Sequence, residues 1–178
     1  QLAAAFGGVN AWYWQAGRTG FSCKQETVVN KSYYSTFQKH LLLAYCGRPH
    51  ESKNINGIWI NQFLSGKYRR FWTEIISNTK KFIDALDVKN YKKAAAAMNK
   101  ETVIRRKMTP EVVDDMGKKL VDSAVKNNCG ARFTGAGGGG CIWALGEIDS
   151  IDILKIIWQE LLAVRKGACL LDVKIDSK

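Results

Sequence analysis

The sequence has no apolar run approaching the roughly 20 residues that cross a bilayer. Its nearest stretch, Gly135 to Leu145, is dominated by glycine. A membrane-spanning helix is therefore excluded. The opening, Gln1-Leu2-Ala3-Ala4-Ala5-Phe6-Gly7-Gly8, lacks the charged segment and apolar core of a secretory leader. It also lacks an initiator Met, so the chain is expected to be a piece of something longer. The five cysteines (Cys23, Cys46, Cys129, Cys141 and Cys169) are odd in number, scattered, and without a C-x-x-C pair. That argues against a disulfide framework and against a zinc site. A reduced, cytoplasmic protein with incidental buried thiols is expected. His40 and His50 are the only histidines, and neither stands in a carboxylate–His–nucleophile spacing. No catalytic residue and no metal ligand is assigned. Internal repeats and low-complexity linkers are absent as well.

What is present suits one domain with a proper core. The chain has 178 residues, 46% hydrophobic and 24% charged, close to the globular average. Its 27 basic and 16 acidic residues give a formal net charge of +11. Such an excess attracts anions over long range. Nucleic acid, an acidic membrane surface and phosphorylated metabolites all qualify, so charge alone does not choose. The basic residues are dispersed: Lys67, Arg69 and Arg70; Lys80 and Lys81; Lys89, Lys92 and Lys93; Lys118 and Lys119. They read as solvated helix faces, and nucleic acid is not the expected partner.

Asn10–Trp14 and Phe21–Val28 are strand-like and flank a turn at Gln15-Ala16-Gly17-Arg18, which predicts a hairpin. Leu41–Cys46 is a short apolar run ended by Gly47-Arg48-Pro49, best read as a buried strand. Glu51–Leu64 is helical in pattern. Phe71, Ile75, Ile76, Thr79, Phe82, Ile83 and Leu86 then trace one helix face, and Tyr91, Ala94, Ala95, Met98 and Thr102 the next. Thr109-Pro110-Glu111 has the composition of a helix start, with Thr109 as cap. Val113, Met116, Leu120 and Ala124 would be its inner stripe, and Asn128-Cys129-Gly130 its end. Cys141–Leu145 reads as a strand. Asp149-Ser150 opens a last helix with Ile151, Leu154, Trp158, Leu161 and Leu162 inward, and alternating Leu171, Val173 and Ile175 form a last strand. Strands at both ends with helices between them predict an α+β fold, an antiparallel sheet covered by helices.

Chemistry concentrates in Gly130-Ala131-Arg132-Phe133-Thr134-Gly135-Ala136-Gly137-Gly138-Gly139-Gly140-Cys141. Ordering so much glycine is costly in backbone entropy and calls for a compensating use. Glycines let successive N–H groups converge into a nest that binds anions. A flexible linker is disfavoured by the apolar flanks, Phe133 and Ile142-Trp143-Ala144-Leu145. The segment also satisfies G-x-G-x-x-G, but it reads as following a helix and opening a strand, the reverse of a dinucleotide loop. Phosphate binding and tight packing both remain open.

The segment Ala131 to Gly140 resembles the third motif of the GHMP kinases, the superfamily of galactokinase, homoserine kinase and mevalonate kinase. Its usual form is a small residue, K/R, an apolar residue, then T/S-G-A-G-G-G-G. Gln1 to Asn10 is similar to the D/E-Q-Y-A-A-A-F-G-G-x-N stretch of sugar kinases related to heptose 7-phosphate kinase. Leu42-Leu43-Ala44-Tyr45-Cys46-Gly47 resembles their following strand and turn. The resemblance implies a ferredoxin-like GHMP kinase C-terminal domain over residues 41–178. Residues 1–40 would then be a hairpin and connection from a missing N-terminal kinase half. It implies ATP and Mg²⁺ as cofactors, a sugar or sugar-phosphate substrate, and a phosphate-side loop at Thr134, Gly135, Ala136, Gly137, Gly138, Gly139 and Gly140. The family's ATP-gripping loop and its catalytic carboxylate, placed just before the Gln matching Gln1, have no counterpart here. This chain alone is expected to be inactive. A non-catalytic phosphometabolite- or partner-binding module is the alternative.

Softer candidates remain. Arg48, on a turn, would pair with a phosphate or sugar hydroxyls, against a solvated turn residue. Thr134 would offer a hydroxyl to phosphate or cap a helix end. Arg105, Arg106 and Lys107 read as a solvated helix end. Trp12, Tyr13 and Trp14 would pack between this piece and the missing half.

Overall fold

The computed structural model describes residues 2–17, 20–49 and 52–176. Gln1, Arg18, His50, Glu51 and Lys178 lie outside them, so the readings at those positions are not addressed further. A short helix α1 (Leu2–Phe6) leads into a hairpin, β1 (Val9–Gly17) and β2 (Gly20–Val29). The one-turn α2 (Tyr34–Phe37) precedes β3 (Leu41–Tyr45). Four helices follow: α3 (Ser52–Leu64), α4 (Arg69–Asp87), α5 (Tyr91–Met108) and α6 (Asp115–Lys126). The chain ends with β4 (Gly130–Phe133), β5 (Cys141–Leu145), α7 (Ile148–Ala163) and β6 (Cys169–Leu171). Among the described residues no helix is long and apolar enough to cross a membrane.

The second sheet runs β4-β5-β3-β6, all neighbours antiparallel. Counted within the unit its order is 2-3-1-4, the βαββαβ ferredoxin-like arrangement, with extra helices inserted after the first strand. The expected α+β class and antiparallel sheet are present. Period-2 alternation sorts its side chains. Leu42, Ala44, Ala131, Phe133, Ile142 and Ala144 point to one face and pack with α6 and α7. Trp158 of α7 is fully buried there, and its indole N–H reaches Leu120 O at 3.2 Å and Ser123 Oγ at 3.1 Å. The other face carries Leu41, Trp143 and Leu145, which meet α4, α5 and the base of the hairpin.

Helix α5 lies directly on the edge strand β4. Gly130 makes this possible: a Cβ there would stand 2.7 Å from Ala95 Cα and Ala95 O. The side chains of α5 then complete the strand's edge. Asn99 donates to Cys129 O at 2.9 Å and accepts from Ala131 N at 3.1 Å. Thr102 donates to Ala131 O at 3.0 Å. An open sheet edge is thereby closed without another strand.

Four details differ from the sequence reading. The helix after Thr109 begins at Asp115, because Asp114, not Thr109, caps it by accepting from Gly117 N at 2.8 Å. Pro110–Val112 forms only a 3-10 turn, and the buried Thr109 hydroxyl accepts from Trp59 Nε1 at 3.0 Å. The last strand ends at Leu171; Ile175 instead donates its N–H to Gln38 Oε1 at 2.8 Å. Ile76 is exposed, since the inner face of α4 runs through Ile75, Asn78, Ala85 and Leu86. Arg105 is not a solvated helix end but sits over Trp59 and Trp72, 4.4 and 5.1 Å from their centroids.

Gly130→Ala is expected to destabilise the chain by about 1–3 kcal/mol through forced separation of α5 and β4. Gly57→Ala, on an open face of α3 with nothing near its Cβ, should stabilise by about 0.5–1 kcal/mol. Urea denaturation of the two variants checks both signs.

Candidate functional site

The glycine segment is a hairpin connection. It follows strand β4, not a helix end, because Asn128 turns the chain at φ 58° and β4 starts at Gly130. The loop is braced on both sides. Gly138 N donates to Val112 O at 2.8 Å, and Gly140 N to Arg48 O at 3.0 Å. Gly140 O accepts from Cys46 N at 2.8 Å, and Gly137 N reaches Thr134 O at 3.4 Å. Two glycines are required by close approach as well as by backbone conformation. At Gly137, φ 84°, a Cβ would meet Val112 O at 2.4 Å; at Gly139, φ 121°, it would meet Pro49 O at 2.8 Å. Ala136, the one side chain in the run, is buried in the core shared with α6 and α7.

This bracing divides the amides. Those of Gly137, Gly138 and Gly140 are taken by protein carbonyls. Among the described residues, no hydrogen bond engages the amides of Gly135, Ala136 or Gly139. The Thr134 hydroxyl donates to Cys141 O at 3.3 Å rather than capping a helix. Arg48 is exposed, and it is its carbonyl that touches the loop. Beneath the loop, Asp114 pairs with Arg165, which also donates to Cys46 O at 2.9 Å. That pair fixes the start of α6 and the end of β3 together.

A cleft of ≈ 950 Å³ opens between the hairpin and the second face of the four-stranded sheet. Thr134 stands on its rim, so the cleft adjoins the glycine loop. Its walls include Trp12 and Trp14 of β1, Trp143 of β5, Leu43, Phe82 and Asn10. None of the described residues lining it carries a charge. Sequence reasoning named Trp12 and Trp14 only as packing residues and missed Asn10, Leu43 and Trp143. Leu41–Cys46 and Cys141–Leu145 read as strands, but nothing local in them shows that one face of the sheet stays partly open.

The comparisons bear on this arrangement. No protein-family model matches the sequence, and no curated protein matches it. Solved structures do match. A Lin0012 protein from Listeria innocua has TM-score 0.71 at 19% identity, covering 86% of this chain and 42% of that one. Streptococcus pneumoniae phosphomevalonate kinase, in complex with phosphomevalonate and AMPPNP, has TM-score 0.67 at 19% identity, with coverages of 88% and 43%. Lactococcus lactis galactokinase complexed with galactose has TM-score 0.61 at 16% identity, with coverages of 95% and 52%. The chain has the fold of a GHMP kinase C-terminal domain. It spans between 42% and 52% of the length of these three structures.

Burial sets the cysteines apart. Loss of solvent, with the Asp114 carboxylate adding to it, pushes the Cys46 thiol up to about 12. Burial alone pushes Cys129 up to about 11. Cys23 and Cys169 are exposed, so not all the thiols are the buried ones expected. With a pKa near 12, Cys46 is thiolate to roughly one part in 10⁴ at pH 8, and thiolate is the reactive form. Iodoacetamide at pH 8 should therefore label Cys23 and Cys169 first, and Cys46 and Cys129 only after unfolding, as read by mass spectrometry. Gly137→Ala should destabilise by more than Gly135→Ala, whose Cβ would meet nothing within 4 Å. Both carry the cost of positive φ, of order 1–2 kcal/mol; only the first must also displace Val112.

Proposed function

We propose that this chain is the C-terminal part of an ATP-dependent small-molecule kinase that phosphorylates a hydroxyl of a sugar or sugar phosphate. The observation that carries the reading is the placement of the glycine loop. Its amides at Gly135, Ala136 and Gly139 make no hydrogen bond to the described residues, and Thr134, just before them, lines an uncharged aromatic cleft on a GHMP kinase C-terminal fold. Backbone amides on a rigid loop suit phosphate oxygens. The cleft beside them suits the carbon skeleton of an acceptor. The neighbours support the class: one structure holds AMPPNP with phosphomevalonate, another holds galactose. The finer assignment, to enzymes acting like heptose 7-phosphate kinase, draws on the Gln1–Asn10 stretch.

Phosphoryl transfer is catalysed mainly by positioning and charge stabilisation. When bound, Mg²⁺ neutralises charge on the ATP phosphates, and it takes few protein ligands. Among the described residues no group of three His, Cys, Asp or Glu side chains could hold a metal ion. This chain's proposed share is the phosphate-side loop and one wall of the acceptor cleft. The ATP-gripping loop and the carboxylate that the resemblance requires would be supplied by a further kinase portion.

Release of ADP from MgATP, followed over galactose, fucose, heptose and heptose 7-phosphate, tests the reading. The complete encoded protein is expected to turn over one of these, and the 178-residue chain alone none. Absence of ADP release by the encoded protein on every sugar would reject the kinase. Saturable binding of a phosphometabolite without ADP release would instead support the second reading, a binding module that uses the same three amides.

A further inference from the structure

The glycine loop is braced at two points outside itself, and one side chain stands behind both. Gly138 N is tied to Val112 O, and Gly140 N to Arg48 O. Val112 lies two residues before Asp114, and Arg48 two residues after Cys46. Arg165, just past the end of α7, joins that Asp to that Cys. Its Nη1 donates to Asp114 Oδ2 and, at 2.9 Å, to Cys46 O. Both partners are tied in their turn: Asp114 Oδ1 caps α6 at Gly117 N, and Cys46 N donates to Gly140 O. The turn carrying Arg165 is itself pressed against the chain between Cys46 and Arg48. A Cβ at Gly47 would stand 2.9 Å from Ala168 N and 3.1 Å from Lys166 O.

Arg165 and Asp114 are both half-buried. A charge-assisted bond is stronger than a neutral one, and removing one partner of a shielded pair leaves the other charge uncompensated. Loss of the Arg165 guanidinium would therefore strip Asp114 and Cys46 O of their shared donor and release the Val112 and Arg48 turns from one another. Neither of its bonds goes to the loop, and its charge is offset by Asp114. What Arg165 controls is geometry.

We propose that Arg165 is a positioning residue for the glycine loop, holding the Val112 and Arg48 turns in register so that the amides of Gly135, Ala136 and Gly139 meet a phosphate already ordered. The inference rests on the phosphate role proposed for the loop, and it names a group outside the motif on which that role depends. A site ordered in advance has less freedom to lose on binding. A loop released at its braces would have to be ordered by the ligand.

Inorganic pyrophosphate titrated into the 178-residue chain, followed by amide NMR, reads the consequence. Amide-nitrogen relaxation of the ligand-free chain reads the cause. In the wild type the Gly135, Ala136 and Gly139 signals should move with pyrophosphate, and the Gly138 and Gly140 amides should be rigid, with order parameters of about 0.85. Arg165→Met keeps a stem to pack but has no donor. Order at Gly138 and Gly140 should then fall below about 0.6. Pyrophosphate should bind about tenfold weaker, the scale of one hydrogen bond to a charged group. Arg165→Lys should preserve order and affinity, because both bonds leave one nitrogen and an ammonium carries three donors.

Asp114→Asn sets geometry against charge. It makes the surroundings of the loop more positive, yet its single oxygen cannot both cap α6 and receive Arg165, so weaker pyrophosphate binding is expected. Relaxation reads the folded molecule, so a general loss of stability does not reproduce the loop effect. Asp114→Asn and Arg165→Lys carry the test where Arg165→Met folds poorly. Unchanged order at Gly138 and Gly140 in the Met and Asn variants, or tighter pyrophosphate binding by Asp114→Asn, overturns the inference and leaves the phosphate loop standing. Wild-type loop signals that ignore pyrophosphate reject the phosphate reading and the inference with it.

Discussion

The contact of helix α5 with the edge of β4 is the constraint from which the rest of the arrangement follows. A buried strand edge with unpaired amides and carbonyls would be intolerable. Here Asn99 and Thr102 pair them from a helix that can approach only because residue 130 is glycine. The same approach brings Glu101 over Arg132 and sets Met98 against the sheet. Strand β4 is therefore held at both its edges, by β5 and by α5, and the glycine loop that leaves it starts from a fixed point.

The loop continues that logic. Three of its amides are spent on tying Thr134, the Val112 turn and the Arg48 turn to the sheet, while three are left open. The division is physically sensible, since a loop that spent none on the protein would be too mobile to position a ligand. One that spent all of them would have nothing to offer it. Ala136 anchors the middle of the run in the core, which explains why the one side chain among the glycines is small and apolar. The Asp114–Arg165 pair holds the floor beneath the loop by joining a helix start to the end of β3.

Much of the fold was legible in the sequence because the periodicities are strong. The stripe Tyr91, Ala94, Ala95, Met98 and Thr102 is buried throughout, and the hairpin formed, although Gln15, Ala16 and Gly17 of the expected turn belong to β1. The failures have identifiable causes. Thr109-Pro110-Glu111 has the composition of a helix start, yet the half-buried Trp59 took the Thr109 hydroxyl and Asp114 offered a stronger cap. Four residues were too few for β4 to show a period beside so many glycines. Arg105 lay in a basic triplet that reads as solvent-facing, but tryptophans from two other helices enclose it. The motif drew attention to the loop, whereas the cleft it borders depends on residues from β1, β3, α4 and β5 that no local pattern connects.

The charge distribution separates two tasks that net charge alone confuses. The chain carries +11, yet none of the described residues lining the cleft is charged. An exposed lysine more than about 8–10 Å from a ligand is largely screened at physiological ionic strength. The basic surface therefore raises the local concentration of anions without choosing among them. Choice falls to short-range groups: open amides at the loop and aromatic faces along the cleft. Away from the cleft lining, Glu101 pairs with both Arg105 and Arg132, so that buried cluster keeps a net positive charge and ties α5 to β4.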